Sequence, residues 1–113
     1  MNRFELFCMI FYVLDAEWDE SGTVELGTFL SGANPFLFAD IGSADPEIYA
    51  NFCERVPDVQ IRVEDSYGKA SAYIASLNDD AISNAFKTID EQEWMECVKD
   101  YLSQEHKGSD VAG

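Results

Sequence analysis

The stretch from Phe4 to Trp18 limits the fold more than any other part of the chain. Phe4, Phe7, Phe11, Leu14 and Trp18 recur at the three-four spacing of one helix face. Met9, Ile10 and Val13 fall off that face, so a helix here has to be wrapped by neighbours on several sides. A buried strand over Leu6 to Leu14 is the competing reading, because a short apolar run is compatible with either. The helix is preferred, since the periodicity continues outward to Phe4 and Trp18. Glu5 and Asp15 bound the run, which is shorter than the roughly 20 apolar residues a membrane helix needs. Glu5 also spoils the basic start of a signal peptide, and Asp15-Ala16-Glu17-Trp18 is a poor cleavage site. The segment reads as core, and 113 residues support one core, not two.

Further along, Asp19-Glu20-Ser21-Gly22 reads as a turn, and Val24, Leu26, Phe29 and Leu30 as a short helix stopped by Gly32 and Pro35. Gly27 inside that helix costs about 1 kcal/mol against Ala, which points to a packing contact where another backbone comes close. Asn34 to Phe38 is an apolar loop expected to tuck onto the core. Asp45-Pro46-Glu47 is a strong helix start: Asp accepts from orphan amides, Pro pre-sets φ, and Glu suits the positive dipole end. Ile48, Tyr49, Phe52, Cys53 and Val56 give that helix its buried stripe, and Pro57 ends it. Val59, Ile61 and Val63 alternate with polar residues as a strand does, although Val59, Val63 and Tyr67 also suit a helix. From Tyr67, Ala70, Tyr73, Ile74 and Leu77 share a helical face. Asn78-Asp79-Asp80 breaks and recaps the chain before Ile82, Ala85, Phe86 and Ile89. Asp90 with Glu93 resembles a capping box, and Trp94, Met95, Val98, Tyr101 and Leu102 form a last stripe. The expectation is a mainly α fold: one globular bundle of five or six short helices over 1–104, with a polar tail over 105–113 that frays. The alternative is α+β, with strands near 5–14 and 58–64.

Chemistry-bearing patterns are sparse. His106, the single histidine, falls in the expected tail, where a general base would lack a fixed position. No phosphate-binding glycine loop, nucleophile elbow or His-Glu-x-x-His string occurs. Cys8, Cys53 and Cys97 form no Cys-x-x-Cys and sit beside apolar neighbours, so they read as small buried hydrophobes in a reducing cytosol. The run from Asp15 starts like a calcium loop but carries Glu20 where the turn glycine belongs and Leu26 where the closing Glu belongs. No metal, cofactor or catalytic residue is therefore expected.

Charge is the more telling property. The chain has 22 Asp and Glu against 7 Lys and Arg, a net charge of −15. With 47% hydrophobic residues this is not the composition of a disordered acidic tail. Such a surface repels nucleic acid and anionic membranes, which bind through Lys and Arg. Singly, each acidic pair reads as solvated surface. Collectively they form a field that would attract a basic partner, and complementary fields can raise association to about 10⁸–10⁹ M⁻¹s⁻¹ at low salt. A carboxylate cluster can also occupy a nuclease active site as a phosphate mimic.

Glu25-Leu26-Gly27-Thr28-Phe29-Leu30-Ser31, Asn34-Pro35-Phe36, and Gly42-Ser43-Ala44-Asp45-Pro46 with Tyr49 and Phe52 resemble small acidic bacterial immunity proteins. These belong to contact-dependent growth inhibition and related polymorphic toxin systems; the Glu93-Trp94 to Tyr101-Leu102 segment is similar as well. The resemblance implies a cytoplasmic, non-enzymatic inhibitor in a 1:1 complex with a cognate toxin's basic C-terminal domain, a nuclease and an RNase before a DNase. Because immunity surfaces diverge with their toxins, contact residues are chosen on physical grounds: acids beside an aromatic anchor. The first patch is Trp18 with Asp15, Glu17, Asp19 and Glu20, although Trp18 also extends the buried stripe. The second is Tyr67 with Glu64 and Asp65, and the third is Asp79 with Asp80. The alternative is an acidic adaptor for some other basic protein. A homodimer through Phe36-Leu37-Phe38 also stays open.

Overall fold

The computed structural model describes residues 1–36 and 41–107. Its architecture follows from where each helix is started and stopped. Asn2 opens α1 (Arg3–Ser21): its side chain accepts the Glu5 amide while Glu5 Oε1 accepts the Asn2 amide, both at 2.8 Å. Gly22, left-handed at φ 63°, closes α1 by donating its N–H to the Trp18 carbonyl. The chain turns at once into α2 (Val24–Ala33). Asp45 caps α3 (Pro46–Arg55), accepting from the Glu47 amide at 3.1 Å. The helix ends just before Pro57, as the sequence requires. α4 (Val63–Ser76) stops at Asn78, held at φ 53°, and Asp79 then caps α5 (Asp80–Phe86). Asp90 caps α6 (Glu91–Ser103), accepting from the Glu93 amide at 2.8 Å.

Helix wins over strand in the first segment. Leu6, Phe7, Cys8, Met9, Ile10 and Leu14 are all buried, on both sides of the original stripe. α1 touches α2, α3, α4 and α5, which is why the helix can be apolar nearly all round. Among the described residues there is no strand. The alternating segment near 58–64 is extended only in its first half: Arg3 donates to Val59, and Ile61 donates to Met1, at 3.0 and 2.9 Å, with one isolated antiparallel bridge between Asn2 and Gln60. Its partner is the two-residue approach to α1, too short to continue a ladder, and Val63 already belongs to α4. The fold is a mainly α single-domain bundle of six helices among the described residues, with a Cα radius of gyration of 13.0 Å. About 13 Å is what one folded body of this length should have.

Two details of packing differ from the sequence reading. Gly32 does not stop α2 but lies inside it, where a Cβ would come within 2.6 Å of Ile48 Cδ1; it lets α3 approach. The cysteines are not uniformly buried. All three are free, but Cys53 is half-buried and Cys97 is exposed on α6. Only Cys8 is fully enclosed, and burial pushes its thiol up to about 12, leaving it protonated and inert.

The C-terminal end of the described chain is held rather than frayed. His106 Nε2 lies 2.5 Å from Glu5 Oε2, both side chains being 9% exposed, and its ring rests on Tyr101 with centroids 4.1 Å apart. Lys107 donates to the Pro35 carbonyl and stands over the Phe4 ring. Glu5 thus serves two ends of the chain at once, the cap of α1 through Oε1 and the 104–107 segment through Oε2. Residues 108–113 of the expected tail lie outside the described residues, as do Leu37 and Phe38 of the apolar loop. In that loop Pro35 is buried and Phe36 packs on Phe11 and Tyr12 while staying 38% exposed.

Candidate functional site

The second half of α1 carries the first predicted patch but divides it: Asp15 borders a groove on the α2 side with Trp18, whereas Glu17 lines one on the α6 side. Asp15 and Glu17 are half-buried, and Asp19 is exposed at the helix end; Glu20 belongs to the same last turn. No basic residue occupies that turn. The carboxylate of Asp19 therefore faces the negative end of the helix dipole uncompensated, an arrangement that costs about 0.3–1 kcal/mol per exposed charge.

Trp18 is neither core nor free: it is 37% exposed, and its indole lies across α2 at Gly27. A Cβ on Gly27 would sit 2.8 Å from Trp18 Nε1 and 3.2 Å from Cε2. The glycine inside α2 is thus explained by an aromatic ring rather than by another backbone. Between α1 and α2 the ring borders an open groove of about 460 Å³, with Asp15, Leu30 and Val24 on its walls. Val24, at 76% exposed, is the most open of the large apolar side chains among the described residues. Gly27→Ala and Trp18→Ala should accordingly be coupled. In the natural background the alanine's helix preference, about 1 kcal/mol, is offset by displacing the indole; in a Trp18→Ala background it is realised in full. Thermal melts of the two single variants and the double variant measure the coupling, and strict additivity would contradict this placement of the ring.

The other two patches are built differently. Tyr67 is not an exposed anchor. Its ring stacks on Phe86 at 5.8 Å and tilts against Trp94 at 6.1 Å, and its hydroxyl donates to the Ile89 carbonyl at 3.0 Å. Glu64 and Asp65 remain exposed in the first turn of α4, but without an aromatic neighbour on the surface. Glu64 is also paired with Arg62 at 2.6 Å; its own backbone amide and that guanidinium hold its carboxyl below the usual range. In the third patch Asp79 is half-buried and used as a cap, accepting from the Ile82 amide at 3.2 Å, while Asp80 is exposed beside it. Of the three predicted patches, the α1 end alone keeps an acid and an accessible aromatic together among the described residues.

A second groove, missed in the sequence, runs along the opposite flank of α1. Its floor is Met9 and Val13 from α1 with Ile89 from the α5–α6 turn, and its volume is about 610 Å³. Glu17 stands on one rim, Glu93 and Asp100 on the other, and no Lys or Arg lines it. Tyr12 of α1 and Tyr101 of α6 meet edge to face with ring centroids 5.7 Å apart. The exposed Cys97 thiol reports the local field: partial burial, then Glu93, Glu96 and Asp100, push it upward. The Glu93, Cys97, Asp100 spacing marked one face of α6 in advance; that this face looks onto Glu17 is a tertiary fact with no local sign.

Chemically, these surfaces offer acceptors and apolar contacts. Among the described residues no group of three or more His, Cys, Asp or Glu side chains converges as a metal site would. Glu5 and His106 form a carboxylate–imidazole pair, but each is nearly enclosed, and the nearby Cys8 thiol is protonated by burial. Among the described residues no helix is long and apolar enough to cross a membrane. Comparison with models of protein families, with curated proteins and with solved structures gave no match.

Proposed function

We propose that this protein is an immunity protein that binds and neutralises a cognate basic toxin domain in the cytoplasm, without catalysis and without a cofactor. The toxin domain is a nuclease, an RNase in preference to a DNase, and the acidic surface covers its active site in a 1:1 complex. The observation that carries this reading is the end of α1. Asp19 and Glu20 are kept in the last turn beside a half-exposed tryptophan, although the helix dipole opposes acids there and that turn holds no basic residue. Charge held at a cost to local stability is the pattern that a stability–function trade-off produces at a binding surface. The resemblance to acidic immunity proteins supports the same reading.

The test uses a toxin domain encoded beside this gene. Mixed in equal amounts, the two should form a 1:1 complex in which nuclease activity is lost. The affinity should fall at least tenfold between about 0.05 M and about 0.5 M salt, as exposed pairs are screened. Affinity that stays flat would remove the electrostatic basis of the proposal; full nuclease activity in the equimolar mixture would remove the proposal itself.

A further inference from the structure

The α1–α6 groove has two properties that seldom coincide: an apolar floor and a rim of one charge sign. Half-buried Val13 with exposed Tyr12 and Ala16 supply the accessible part of the floor, and buried Met9 and Ile89 the rest; Glu17 of α1 and Glu93 and Asp100 of α6 supply carboxylates on both sides. None of the rim acids is engaged in an ion pair among the described residues. The cations that do form ion pairs lie elsewhere, Arg62 on Glu64 and Lys69 on Asp58. A small neutral ligand would leave the rim charges uncompensated, and a purely polar cation would leave the floor wet. The occupant that satisfies both is a segment carrying apolar side chains on one face, flanked by Lys or Arg.

We infer that this groove docks an amphipathic basic helix of the protein's macromolecular partner, seating its apolar side chains between α1 and α6 with its cations against Glu17, Glu93 and Asp100. Such a helix presents anchors at i, i+3, i+4 and i+7, the general mode of helix-in-groove recognition. The inference rests on the proposed function for the partner's basic character, but it assigns a surface and an occupant that the charge alone does not. It also assigns α6 a role separate from that of the Trp18 patch. Trp18 and Asp15 lie on the α2 side of α1, and the groove lies on the α6 side.

The probe is a helical Leu/Lys peptide of about four turns, compared with a Ser/Lys peptide of equal charge, each titrated into the ¹⁵N-labelled full chain. The Leu/Lys peptide should bind at least tenfold tighter, with amide shifts concentrated at Met9, Val13, Ile89 and Glu93. Glu93→Lys with Asp100→Lys should abolish that preference. The neutral pair Glu93→Gln with Asp100→Asn should weaken it in part, which provides a second reading should the reversal disturb α6. Equal binding of the two peptides, or shifts confined to Asp15, Trp18 and Val24, would overturn the inference. With the toxin domain, unchanged affinity of the Glu93→Lys, Asp100→Lys variant would overturn the groove and leave the proposed function standing. Peptide docking in a chain that ignores the toxin would do the reverse.

Discussion

Truncating Trp94 to alanine should destabilise the protein by about 3–5 kcal/mol, a large part of the 5–15 kcal/mol that holds a typical domain together. Trp94 is fully buried where α6 meets α4 and α5, edge-on to Phe86 at 5.7 Å and tilted against Tyr67. Its indole also has a polar end. Nε1 donates to Ser66 Oγ at 2.8 Å, and the Ser66 hydroxyl donates onward to the Val63 carbonyl at 2.6 Å. Ser66 is itself wholly enclosed, so Ser66→Ala should strand the indole N–H and cost about 1–3 kcal/mol by that route alone. Trp94→Phe removes the donor, and Ser66→Ala in that background should cost clearly less. Thermal melts followed by circular dichroism read both effects, since each kcal/mol moves the midpoint by about 4–8 °C in a domain of this size. A Ser66→Ala midpoint within about 2 °C of the natural chain would contradict the assigned bond.

The second large effect concerns association. Reversing Asp15, Asp19 and Glu20 to Lys changes the net charge by six, from −15 to −9, all of it within the second half of α1. Association with a basic toxin domain should slow at least tenfold at low salt. The difference should shrink near 1 M salt, where charges screen each other within about 3 Å. The fold should not suffer. Lys at Asp19 replaces an anion at the C-terminal end of α1 with a cation, which should stabilise the helix by a few tenths of a kcal/mol to about 1 kcal/mol. Stopped-flow association at several salt concentrations, beside a thermal melt, separates the two. Unchanged association would place the contact elsewhere, whereas slower association with a lowered melting point would make the acids structural.

The helices were legible because their ends carry local chemistry. Asp45-Pro46, Asp79 and Asp90 all cap as expected, and the α1 periodicity outweighed the strand reading. The burial of Glu5 was less plain, yet Asn2 three residues earlier already spelled the capping box that holds it. Tyr67 had a signal too: with Ala70 and Ile74 it falls on the spacing of the buried face of α4, which ought to have outweighed its neighbouring acids. What could not be read is pairing at a distance. Glu5 and His106 are 101 residues apart, and nothing local joins them. Nor does the alternation at Val59 to Val63 say that its partner is only the short approach to α1, so that pairing stops after a single bridge. The grooves share this property: the face of each helix is written in its own sequence, whereas which two faces meet is decided by the whole bundle.

The most direct measurement of the central claim is capture from the native organism on the immobilised full chain at low salt, eluted with rising salt and identified by mass spectrometry. A basic C-terminal domain of a large secreted toxin should elute as the salt rises, and the released domain should regain nuclease activity. Recovery of a housekeeping protein alone, or of nothing, would contradict that claim.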